Sequence, residues 1–143
     1  MTTLTLPELA KKMAGIDFAM LQTHAGGEIE GRPMSTNGDV DYDGDSWFFT
    51  LESADMVRQI EADPKVALAF TGKKSLLGKP PLFVHVKGHA QIIRDRAVMA
   101  EHWVPDLERW FEQGLDTPGI AMIHVHAANI HYWDGEDEGE LSV

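Results

Sequence analysis

The residues with the most chemical promise lie in short runs. Arg32 stands between Gly31 and Pro33 and is followed by Met34 and Ser35. Small and rigid neighbours suit a guanidinium that projects into a shared cleft, and guanidinium holds phosphate or carboxylate well. Met34 and Ser35 project to opposite faces of an extended strand, so one can pack inward while the other meets a ligand. Trp47-Phe48-Phe49-Thr50 forms a second run. Its rings suit a core, and the Thr50 hydroxyl and peptide suit the polar edge of a bound molecule. Ser53, Met56 and Arg58 follow at the start of a predicted helix, where free N–H groups favour an anion. Glu52 and Asp55 bring negative charge to the same place.

The histidines form two further sets. His124 and His126 are two apart on a predicted strand and share a face; His85 and His89 share one if their strand is regular. Such pairs could ligate a metal or haem iron. No H-E-x-x-H or close carboxylate–histidine spacing accompanies them, so the reading is structural or surface histidines and no metal. Nucleophilic catalysis has no support, because G-x-S-x-G and cysteine are both absent. No phosphate-binding glycine loop appears; Gly26-Gly27 is turn chemistry.

The elements that must position these residues can be read in order. Leu6 to Ala14 has helical spacing, with Thr5 as cap and Pro7 in the first turn. Ile16 to Thr23 and Glu28 to Ser35 read as a hairpin around Gly26-Gly27. Asn37 to Asp45 is a polar loop, and Trp47 to Leu51 a strand. Ser53 is the candidate N-cap of a helix over 54–62, which Asp63-Pro64 ends. Strands follow at Val66 to Thr71 and Leu82 to Arg94, the latter bent at Gly88. The three-lysine stretch Gly72 to Pro81 between them is a loop. A helical stretch from Asp95 to Phe111 is interrupted near Pro105, and extended chain runs from Ile120 to Trp133. Trp103, Trp110 and Phe111 share one helical face, suited to packing. Strands dominate and adjoin through short turns. The expected architecture is mainly β or α+β: a six-stranded antiparallel split β-barrel with flanking helices.

Composition narrows the function. The 143 residues suit one domain, expected over 1–134, followed by an acidic, solvated tail at 135–143. Net charge is −11, and setting aside the five acids between Asp134 and Glu140 still leaves −6. A field of that sign argues against nucleic acid and anionic membranes as partners. No apolar run is long enough to span a bilayer, the first residues do not read as a signal peptide, and cysteine is absent. These features are compatible with a cytoplasmic protein.

Six local patterns then fall in one order: GRPMS at Gly31–Ser35, SWFFT at Ser46–Thr50, and a helix ending in I-x-x-D-P at Ile60–Pro64. FVHVKGHAQIIRDR at Phe83–Arg96, W-x-P-x-x-x-x-WF at Trp103–Phe111 and HYWD at His131–Asp134 complete it. The succession resembles the FMN-binding split barrels of the general stress protein 26 type, in the pyridoxamine-phosphate-oxidase-like superfamily. The resemblance implies a homodimer with FMN sites at the subunit interface. It implies that Arg32, Met34, Ser35, Phe49 and Thr50 line the flavin, with Phe83, Trp110 and Trp133 completing the pocket, partly from the other subunit. Relatives commonly carry a lysine where Met56 stands, so Ser53, Arg58 and the helix start must compensate at the phosphate. The function expected is flavin binding, with FMN-dependent oxidoreduction as the possible activity. The alternatives are another planar cofactor (FAD, haem or deazaflavin) or a barrel that has lost tight FMN binding. Pyridoxamine phosphate oxidation is disfavoured, because the chain closes on YWDGEDEGELSV rather than an Arg-rich segment.

Overall fold

The computed structural model describes residues 3–36 and 41–143. Part of the predicted loop Asn37 to Asp45 therefore lies outside the described residues. Helix α1 (Leu6–Met13) begins in a capping box: the Thr5 hydroxyl accepts from Glu8 N at 3.3 Å, and Thr5 N donates to Glu8 Oε1 at 2.9 Å. Strands β1 (Phe18–Ala25) and β2 (Glu28–Ser35) are joined by Gly26 and Gly27, whose φ values of 59° and 96° suit the tight hairpin turn. Next come β3 (Asp45–Leu51), α2 (Asp55–Ala62), β4 (Lys65–Thr71), β5 (Phe83–Ile93) and α3 (Arg96–His102). Two 3-10 turns at Pro105–Arg109 and Gly114–Asp116, then β6 (Ile120–Asp134) and β7 (Asp137–Ser142), complete the order.

All pairings are antiparallel, in one seven-stranded sheet ordered β2-β1-β4-β5-β6-β3, with β7 also on β6. The sheet is an open, split barrel. Its long strand β6 carries β3 along Ile120–His126 and β7 along Asn129–Asp134, so those two strands share one edge of it. Pro33 sits in β2, an edge strand, where a missing N–H costs least. The β5 register shifts between Lys87 and Gly88, and a Cβ at Gly88 would collide with the carbonyl of His126.

The interior is one large cluster that includes Leu9, Leu21, Phe48, Leu68, Val86, Ile123 and Tyr132. A smaller cluster of Phe49, Met99 and Met122 lies on the other side of β3, covered by Trp103, Leu107 and Phe111. Alternation along β3 divides the aromatic run between the two: Phe48 faces the large core, Phe49 the small one.

Three expectations are corrected. The sheet has seven strands rather than six. The extra strand is the acidic end: Gly135, at φ 64°, turns the chain, and Asp137–Ser142 pairs with β6. Strand pairing satisfies its backbone, while the carboxylates stay at the surface, so composition alone concealed it. Glu138 and Glu140 each contact a His131 ring nitrogen, at 2.9 and 3.2 Å. Finally, Ser53 does not cap α2. Ala54 occupies the N-cap with no side-chain bond, because the turn after β3 runs one residue further than its sequence suggests.

Candidate functional site

The first candidate site is the groove between β2 and the start of α2, lined by Glu30, Gly31, Arg32, Ala54, Asp55 and Met56, with a volume of about 420 Å³. Arg32 forms one wall, held by three bonds. Nη1 donates to Leu21 O at 3.2 Å and to Thr23 Oγ1 at 2.9 Å; Nη2 donates to Gln59 Oε1 at 3.2 Å. Thr23 in turn donates to Gln59 Oε1 at 2.7 Å, and Gln59 Nε2 donates to Glu30 at 2.9 Å. A guanidinium has five N–H donors, so Nε and one Nη2 hydrogen have no hydrogen-bond partner among the described residues. Burial lowers the Arg32 proton affinity, and Glu30 and Asp55 work against that shift.

The charge around this groove nearly cancels. Arg58 is exposed and paired with Asp55 one turn away on α2. Glu30 Oε2 stands 3.7 Å from Arg32 Nη2. Glu52, which the sequence places beside the groove, is held elsewhere: Arg94 grips it with bonds of 2.6 and 3.1 Å and holds its carboxyl below the usual range. The groove therefore offers two kinds of donor, Arg32 and the uncapped N–H groups of α2, without surplus positive charge.

The other predicted residues gather in two further places. Ser35, Phe49 and Trp110 line a groove of about 580 Å³ between the end of β2, β3 and the Pro105–Arg109 turn, with Trp47 and His102 in the same wall. Trp110 is 59% exposed there, while Trp103 packs edge-on against Phe49 at 5.1 Å. Phe83 and Trp133 are direct partners across β5 and β6, beside Pro80, Pro81 and His85. Trp133 stacks on His131 at 4.1 Å. Burial, with Lys87 and His131 nearby, pushes the His85 imidazole below its ordinary pKa. Met34 and Thr50 are buried, and Ser53 lies in the turn before α2. Within one chain the predicted set is thus spread over three grooves. The sequence reading missed Thr23, Gln59 and Glu30, which hold Arg32; no spacing signal links them, because they meet only after β1, β2 and α2 pack.

The family model described as Pyridoxamine 5'-phosphate oxidase like matches residues 5–143. The chain belongs to that family. No curated protein matches the sequence. Among solved structures, general stress protein 26 of Bacillus anthracis is similar to this pyridoxamine 5'-phosphate oxidase-like chain at 20% identity and a TM-score of 0.75. That match covers 98% of this chain and 100% of the other. A general stress FMN/FAD binding protein of Xanthomonas citri is similar at 22% identity and a TM-score of 0.73, covering 96% and 94%. A heme binding protein of Mycobacterium smegmatis is similar at 15% identity and a TM-score of 0.76, covering 99% of this chain and 60% of that one. At such identities these likenesses establish the fold of this oxidase-like chain.

Proposed function

We propose that this chain binds a flavin, FMN, with the phosphate in the groove between Arg32 and the start of α2. The observation that carries the reading is the pairing of a fixed guanidinium with an uncapped helix start across one small groove. Arg32 Nε, its remaining Nη2 hydrogen and the first N–H groups of α2 would hold the phosphate. Ser35, Phe49 and Trp110 suit the ring and its polar edge. When bound, the flavin supplies electron and hydride acceptance. The protein's own share in this reading is binding and orientation.

A second copy completes the reading. Among the described residues the outer face of β1, β4, β5 and β6 exposes Phe18 (57%), Met20 (41%), Phe83 (42%) and Trp133 (39%). A homodimer on this face would bring Phe83 and Trp133 of one chain toward the grooves of the other.

Parallel titrations with FMN and riboflavin test the proposal. Saturable FMN binding, with riboflavin weaker by about tenfold or more, is expected if Arg32 and α2 read the phosphate. Equal affinities would mean that the phosphate site is lost; no binding of either would remove the flavin reading. An NADH-driven reduction assay on loaded protein then separates an enzyme from a carrier: reduction no faster than that of free FMN identifies a carrier.

A further inference from the structure

A second cluster lies far from Arg32 in the sheet order, on β3 and β6. Asp45 is the register partner of His126, and Trp47 is the partner of His124. One carboxylate oxygen, Asp45 Oδ1, receives both imidazoles: His124 Nε2 at 2.8 Å and His126 Nδ1 at 2.8 Å. One ligand atom from each residue falls within 4.8 Å of the others. No lysine or arginine pairs with Asp45 among the described residues.

We propose that Asp45, His124 and His126 form a binding site for a divalent metal ion of the zinc, cobalt and nickel class. Two imidazole nitrogens and one carboxylate oxygen match the donor preference of those ions. Metal–donor bonds of about 2.0–2.2 Å place donors about 3 to 4 Å apart around a common ion. Closing the triangle therefore takes side-chain adjustments of about 1 Å, with the ion replacing the shared imidazole protons.

An aromatic stack preorganises the site. The ring of His124 is stacked on Trp47 at 4.0 Å and 4°, and His102 stacks on Trp47 at 3.7 Å and 14°. That stack fixes the orientation of the His124 ring before metal arrives, as an outer-shell partner does in known sites. His89 is the β5 register partner of His126, but its ring lies outside the group of donors within 4.8 Å, so the protein supplies three ligands. The side chains of Asp45 and His124 are 28% and 23% exposed, whereas that of His126 is 60% exposed, so the site is open on one side. An open side leaves a coordination position for water or an added ligand. Asp45 also walls a cavity of about 340 Å³, shared with Tyr42, whose buried hydroxyl has no partner among the described residues. The sequence reading set His124 and His126 aside because the carboxylate is 79 residues from His124 and reaches it only across a strand pair.

Titration of untagged protein with Co²⁺ and Zn²⁺, followed by cobalt absorption and calorimetry, tests the site. One ion per chain is expected. Affinity should fall by about tenfold or more in His126→Ala, and again in Asp45→Asn. His126 is surface-exposed, so His126→Ala should keep the wild-type melting temperature and report on binding alone. His24→Ala, on the remote β1 hairpin, should bind as wild type. Absence of saturable binding up to about 1 mM metal would overturn the proposal. So would equal affinities in wild type and His126→Ala, which would mark the binding as scattered surface histidines.

Discussion

Arg32 is fixed before any ligand arrives. Thr23, Gln59 and the Leu21 carbonyl take three of its donors, so its charge is aimed and little side-chain entropy is left to lose on binding. What the groove lacks is positive charge. Removing the negative charge of exposed Asp55 leaves Arg58 unpaired beside the groove. Asp55→Asn should therefore tighten FMN by about three- to tenfold and leave riboflavin unchanged; titration of both flavins checks this. Met56 is buried at the start of α2 yet lines the groove, so in Met56→Lys the stem can stay buried while the ammonium reaches the groove, and the variant should act the same way. His85 gives a pH prediction. Its folded pKa lies below the ordinary value of 6.5, so the unfolded chain binds the proton more readily. This group therefore costs stability as pH falls through about 6.5. Denaturant midpoints measured from pH 7.5 to 5.5 should fall less steeply in His85→Gln than in wild type.

The strands carry most of what the sequence made legible. The Thr5 cap, the Gly26-Gly27 hairpin and the bend near Gly88 were readable because each depends on local backbone chemistry. The Ser53 cap and the acidic strand β7 were misread for opposite reasons. A cap depends on the exact residue at which a turn ends, and β7 forms because an edge of β6 was free, not because Asp137–Ser142 has strand character. The residues around Arg32 and Asp45 escaped detection for a third reason: they meet across elements distant in sequence. Gly88 shows how firmly the strands are fixed. A methyl group there meets backbone rather than a movable side chain, so β5 or β6 must shift. Gly88→Ala should cost about 2–3 kcal/mol, read from urea unfolding. Thr5→Ala, which removes only a cap at the surface, should cost about 1 kcal/mol.

At the scale of the molecule, the charge and the apolar face pull in different directions. A net charge of −11 favours separate chains at low ionic strength. The outer sheet face favours association: Pro33, Met20, Ala69 and His85 follow one another across β2, β1, β4 and β5, with Pro33 and Met20 exposed. Apolar burial is insensitive to screening while charge repulsion weakens with salt, so added salt should strengthen a dimer built on this face. Sedimentation should give a species near twice 15.9 kDa, more populated at higher salt. Met20 sits at the centre of that row, partnered with Pro33 on one side and Ala69 on the other, and its side chain already faces solvent. Met20→Glu should therefore leave the monomer folded and place a charge in the middle of the buried patch, which a dimer cannot pair. The expected result is a monomer at all salt concentrations with FMN affinity reduced together with dimerisation. A Met20→Glu protein that remains dimeric would place the interface on another face. One that is monomeric yet binds FMN as wild type would confine the flavin site to a single chain.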